Sequence, residues 1–150
     1  MKTYDILTEV KGRFVVIQGH SISHTMQNVL RDVISNISPT PVQVFEFKVS
    51  TFQDLQWFHH LNSYVNQALT QPVIIVVNFV NPKILYEIDC SGSTEAMYMY
   101  RTLHILQSTI QSTKNLYAFV LTPVHSMCLN ELATTKIQFE HDECMVKNIV

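Results

Sequence analysis

Apolar and polar positions alternate along the chain in two periods, and the periods take turns. "RFVVIQ" (13–18) is a short apolar run of the kind that forms a buried strand. Ile22, Met26, Val29, Leu30, Val33 and Ile37 then recur at close to helical spacing, and "PTP" (39–41) breaks that helix. "VQVFEFKV" (42–49) alternates like a strand. "TFQDLQWFHHLNSYVNQAL" (51–69) reads as a helix with Thr51 as N-cap and Leu55, Phe58, Leu61, Val65 and Leu69 on one side. "PVIIVVNFV" (72–80) is a β-branched run suited to a central strand covered on both faces.

The second half repeats the rhythm. "IDCSGS" (88–93) reads as a loop, and residues 94–113 as a long helix capped by Ser93 or Thr94. "LYAFVLT" (116–122) is another buried strand, and residues 123–132 are a short connection. "ATTKIQFE" (133–140) and "CMVKNIV" (144–150) are two strands joined through "HDE", an antiparallel hairpin. "TYDILTEV" (3–10) is a candidate edge strand. Alternation of strand and helix predicts an α/β domain. Its sheet is mostly parallel, with helices on both faces and an antiparallel hairpin at the C-terminus.

Composition narrows the picture. A chain of 150 residues is long enough for one domain with its own core. Only 15% of residues are charged against 47% hydrophobic, which leaves little polar surface and points to an apolar surface covered by a partner. The net charge of −2 lacks the basic footprint of an autonomous nucleic-acid binder, and Lys11, Arg13 and Lys48 are too scattered to form a DNA patch. Cys90, Cys128 and Cys144 are odd in number and far apart, which fits a reducing compartment better than a disulfide framework. No apolar run reaches transmembrane length and the N-terminus has no signal-peptide core, so an intracellular, soluble protein is expected.

One stretch raises a question of chemistry. "GHSISHTM" (19–26) follows a strand and precedes a helix, the place of a phosphate-binding loop. Such loops use glycines so that backbone N–H groups can close round phosphates, a lysine for charge and a Ser/Thr hydroxyl for Mg²⁺. Laid on GxxxxGK[ST], the stretch keeps Gly19. The second glycine falls on His24, the lysine on Thr25 and the hydroxyl on Met26. An ordinary turn is the plain alternative.

Further segments resemble the RecA-type ATPase core of eukaryotic strand-exchange recombinases and their paralogs. "STFQDL" (50–55) resembles that family's Gly-Thr-Phe segment, and "YEIDCSGSTEAMYMYRTLHIL" (86–106) its Tyr…Asp-Tyr-Ser-Gly loop and long helix. "FVLTPV" (119–124) resembles the sensor strand, and "ATTKIQFEHDECMVKNI" (133–149) the Ala-Ser-Thr-Thr-Arg-Leu strand and hairpin. The likeness implies a single RecA-like domain over residues 1–150 with a degenerate nucleotide site. The family's catalytic glutamate falls on Val49, its Walker B aspartate on Asn78 and its sensor glutamine near Pro123. Only eight residues (125–132) stand where recombinases carry a DNA-contacting loop. The resemblance therefore implies no enzyme activity, no cofactor and no bound metal.

Paralogs stripped in this way are similar to members of the Shu complex of yeasts. That likeness implies a nuclear subunit of a heterotetramer of recombinase paralogs, reaching DNA only through the complex. Such a complex promotes recombinase filaments in homologous recombination and error-free damage tolerance. Two other readings stand beside it. A diverged AAA+ clamp-loader subunit with a dead P-loop would account for "KNLYAFVLT" (114–122), though a C-terminal hairpin in place of a helical lid favours the recombinase likeness. A small α/β enzyme would need a convergent polar site at the strand ends.

Other candidate chemistry is sparse. His59-His60 and His141-x-x-Cys144 are incomplete as metal sites. Cys90 has no adjacent base, and Glu87 and Asp89 read as a solvated pair on a loop. The "WFHH" and "MYMYR" stretches are more suggestive, because aromatics and Met concentrate at interfaces. Trp57, Phe58, Tyr98 and Tyr100 are the candidate partner anchors.

Overall fold

The computed structural model describes residues 12–19, 28, 30–32, 35, 42–140 and 143–148. The candidate edge strand at 3–10 and positions 24–26 lie outside them. The strands are β1 (Phe14–Gln18), β2 (Gln43–Val49), β3 (Val73–Phe79), β4 (Leu116–Thr122), β5 (Thr135–Glu140) and β6 (Glu143–Asn148). The helices are α1 (Gln56–His59), α2 (Leu61–Gln67), α3 (Pro82–Cys90), α4 (Thr94–Ser112) and α5 (Met127–Leu132). Residues 28, 30–32 and 35 are also helical.

Among the described residues, six strands form one sheet in the order β2-β3-β4-β1-β5-β6. The first five run parallel, and β6 returns antiparallel to β5, pairing Ile137 with Val146. The mostly parallel α/β architecture and the terminal hairpin are thus as the patterning predicts. β3 is buried at every residue, as its unbroken β-branched run requires.

The two faces of the sheet carry separate cores. Phe14 and Val16, Val73, Ile75, Val77 and Phe79, and Ala118 and Val120 pack beneath α1 to α5. Val15, Ile17, Ile74, Val76, Phe119 and Leu121 turn to the opposite face, where Leu30 joins them. Helices therefore lie on both faces. The chain leaves β1 toward β2 on one face and leaves β4 toward β5 on the other. The carboxyl ends of β1 and β4 consequently border a topological switch point, the place where open α/β sheets form crevices.

Three expectations need correction. Residues 51–69 are not one helix. A turn occupies 50–55, and α1 and α2 meet at His60. Thr51 is no N-cap, because the Asp54 carboxylate gathers the Ser50 and Thr51 N–H groups (both 2.9 Å) and holds the chain in a turn first. The buried stripe is then Trp57, Leu61, Tyr64 and Ala68, and Leu69 beyond the helix is 77% exposed. Residues 88–90 are the end of α3 rather than loop. Asn81 caps that helix by accepting from Lys83 N (3.1 Å), with Pro82 opening it. Finally, the connection at 123–132 contains α5, capped by the Ser126 hydroxyl.

Side chains tie the base of the sheet together. Thr134 Oγ1 accepts from Phe14 N (3.0 Å) and donates to Phe14 O (3.1 Å), while Thr135 Oγ1 accepts from Gly12 N (2.8 Å). Gly12 has no room for a side chain, since a Cβ would stand 2.9 Å from the Thr134 carbonyl carbon and closer still to both threonine hydroxyls. Arg13 donates to the Thr113 and Gln111 carbonyls at the end of α4. That places a cation at the negative end of the helix dipole.

Candidate functional site

The switch-point crevice is built by the ends of β1, β4 and β5. It is a hollow of about 220 Å³ lined by Gln18, Gly19, Pro123, Val124, His125, Gln138 and Phe139. Gly19 is buried, and its N–H donates to Thr122 O (3.1 Å). Thr122 in turn shapes the exit of β4. Its hydroxyl donates to Val124 O (2.6 Å) and accepts from Val124 N (3.2 Å), a self-closed turn. His125 is held by Asn130 at 2.6 Å.

Three of the positions that the sequence singles out for a degenerate nucleotide site, Gly19, Val49 and Asn78, are among the described residues. Gly19 reaches the crevice, but its N–H is already engaged by β4 rather than turned to a phosphate. His24, Thr25 and Met26 lie outside the described residues. Val49 ends β2 and is wholly buried among apolar neighbours on the α1–α5 face. Asn78, one residue before the end of β3, alternates with Val77 and Phe79 and so turns to the other face. The two positions where carboxylates would be needed therefore do not converge. Asn78 is 5% exposed, and among the described residues its Oδ1 has no hydrogen-bond partner. It offers one neutral oxygen where Mg²⁺ chemistry needs anionic ligands. Gly19, Val49, Asn78 and Thr122 stand at or next to the ends of four adjacent parallel strands without one carboxylate or lysine among them. These residues do not fit a magnesium nucleotide.

Two acidic residues near the strand ends serve the fold instead. Asp54 Oδ2 accepts from the backbone and hydroxyls of Ser50 and Thr51, and the backbone N–H groups chiefly hold its pKa below the usual 3.8. Asp89, at the end of α3, accepts from Met127 N (2.9 Å), Cys128 N (3.1 Å) and the Ser126 hydroxyl (3.3 Å). It is a cap for α5, not half of a solvated pair on a loop. Cys128 lies just inside that cap, and burial pushes its thiol up to about 12, so it is no nucleophile at neutral pH. Cys90 is exposed. Among the described residues no three His, Cys, Asp or Glu side chains gather as a metal site would need, and no helix is long and apolar enough to cross a membrane.

The four candidate anchors separate cleanly. Trp57 is fully buried, with its indole N–H unpartnered among the described residues, and so cannot anchor a partner at the surface. The stripe beneath α1 and α2 claims it. Phe58 is half-buried, edge-on to Trp57 at 6.0 Å between ring centres. Tyr100 is half-buried and ties α4 to α5. Its hydroxyl lies 3.4 Å from Glu131 and 3.0 Å from His104 Nε2, and desolvation, with the Glu131 charge next, raises its pKa. Tyr98 alone presents an open ring, 49% exposed.

Tyr98 also helps to form a second hollow that the sequence did not disclose. This groove of about 460 Å³ is lined by Phe52, Gln53, Leu55, His59, Thr94, Glu95 and Tyr98. It runs between the turn after β2 and the first turn of α4, and its walls are mainly apolar. The "STFQDL" segment supplies one wall because Asp54 folds residues 50–54 tightly enough to bring Phe52 and Leu55 round toward α4.

No protein-family model matches the chain, and no curated protein matches it. A solved structure from Pyrococcus horikoshii OT3, the subject of a structural study, superposes with a TM-score of 0.54 at 12% identity, covering 100% of this chain and 94% of the other. At that identity the likeness speaks for the shared α/β fold alone.

Proposed function

We propose that this chain is a non-catalytic subunit of a heteromeric recombinase-paralog complex, using a RecA-like domain as an assembly surface rather than an ATPase. The observation that carries the reading is the row of strand ends. Laid on a RecA-type core by resemblance, Gly19, Val49 and Asn78 fall at positions that serve its nucleotide chemistry, and at the ends of their strands they bring no carboxylate and no lysine, which supports a non-catalytic reading. The placing of β1 between β4 and β5 supports the RecA-like frame, as do the "STFQDL" turn at the end of β2 and the "ATT" segment clasping β1.

The assembly role draws on the surface. Exposed Tyr98 beside an apolar groove gives a partner one aromatic anchor and one receptive hollow. By resemblance, the partners are other recombinase paralogs, and the chain is most similar to the smallest subunit of the yeast Shu complex. It would act in the nucleus, with DNA reached through the assembled complex. The test is cellular. Deleting the gene in its native cell should reduce recombinase foci after replication damage, and unchanged foci would oppose the reading.

A further inference from the structure

Among the described residues, β2 forms one margin of the sheet. Its backbone groups divide by parity. Gln43 N donates to Pro72 O and Val49 O accepts from Val80 N, so the odd-numbered residues face β3. In an extended strand the N–H and C=O of one residue point the same way and successive residues alternate. Val44, Glu46 and Lys48 therefore turn their backbone groups outward. Their side chains are exposed as well, and a hollow of about 190 Å³ lined by Glu46, Phe47, Lys48, Asp54 and Gln56 lies along the same margin. The strand spans seven residues with no proline. A margin this long and regular is a template for another strand.

We propose that β2 is a self-complementary dimer interface, pairing antiparallel with β2 of a second copy about a two-fold axis at Phe47. The charge pattern selects both the occupant and the register. An axis at Glu46 would set Glu46 against Glu46. An axis at Phe45 would leave Lys48 opposite Val42. An axis at Phe47 sets Glu46 opposite Lys48 twice, once on each side. Both residues turn their backbone groups outward, so each such pair occupies a hydrogen-bonded position. Phe47 meets its own copy at the closer, non-hydrogen-bonded position, where side chains pack best. The two-fold axis runs through the sheet, so each face continues as the same face across the junction. This inference goes beyond the nucleotide-site reading and does not depend on it.

Sedimentation equilibrium of the full chain tests it, with circular dichroism to check the fold of each variant. The wild type should be dimeric. Glu46→Lys and Lys48→Glu each place like charges opposite one another twice, and each should weaken the dimer about tenfold or more. The double variant E46K/K48E restores both opposite-charge pairs in reversed order and should dimerise like the wild type. A monomeric wild type would overturn the proposal and leave the margin to a strand of another protein. Single variants that dimerise normally, or a double variant as weak as the singles, would overturn it too.

Discussion

The carboxylate of Asp89 accepts the N–H of Met127 at 2.9 Å, joining the last turn of α3 to the first turn of α5. With Cys128 N and the Ser126 hydroxyl on its other oxygen, Asp89 satisfies the start of a helix that follows the switch point. An anion there is favoured by the helix dipole as well as by the hydrogen bonds. Asp89→Ala should destabilise the chain by about 1–2 kcal/mol, in the range of lost helix caps. Asp89→Asn should cost less, since the amide oxygen can still accept. Urea denaturation of the three proteins checks the order.

Asp54 gives the fold an acid-sensitive turn. Its folded pKa lies below the ordinary 3.8, so the group binds its proton more weakly folded than unfolded. The stability it contributes is fully present above that ordinary value and is lost as pH falls through the folded pKa. The site is open to solvent, which keeps the effect small. Asp54→Asn should flatten the acid side of the stability curve while leaving the slope near neutrality unchanged. Thermal melts across the acid range would show it, and an unchanged acid slope would speak against the clamp.

The cysteines should differ sharply in reactivity. Cys90 is exposed at the end of α3, whereas Cys128 is buried with its thiol raised to about 12. Iodoacetamide labelling of the native chain, mapped by mass spectrometry, should modify Cys90 and spare Cys128. Labelling of Cys128 should appear only in denaturant. Equal labelling of both in the native state would mean that α5 opens readily.

Tyr98 is the most exposed of the four candidate aromatic anchors, whereas Trp57 belongs to the core. Tyr98→Ala should cost about 2 kcal/mol of partner binding, as truncation of an interface hot spot does, without loss of fold. Trp57→Ala should instead unfold or strongly destabilise the chain, because about 3–5 kcal/mol is typical for emptying a buried aromatic site. Pull-downs with circular dichroism on each variant separate the two effects. Binding that survives Tyr98→Ala would move the interface away from the groove.

The sequence made the sheet legible because burial imposes a crude rule. Runs such as "VIIVVNF" must sit in the middle, and the β5–β6 hairpin follows from two short strands with a polar link. It was less informative where one polar side chain overrides a pattern. Thr51 begins an amphipathic stretch, yet Asp54 three residues later captures its N–H and delays the helix to Gln56. That shift turned the apolar face so that Trp57 went inward. α3 went unread although Asn81-Pro82 is a cap followed by a first-turn proline. Asp89 looked idle because its partners are 37 to 39 residues away, a separation that no local pattern can show. The groove was hidden for the same reason, since Phe52 and Tyr98 meet only through the fold.

The proposed role of this fold is that of an assembly subunit among recombinase paralogs. Affinity purification of the tagged full chain from its native cell, with mass spectrometry of what co-purifies, tests that most directly. Recombinase paralogs should be among the partners, retained by the wild type and depleted by Tyr98→Ala. Recovery of clamp-loader subunits, or of no recombinase paralog at all, would contradict it.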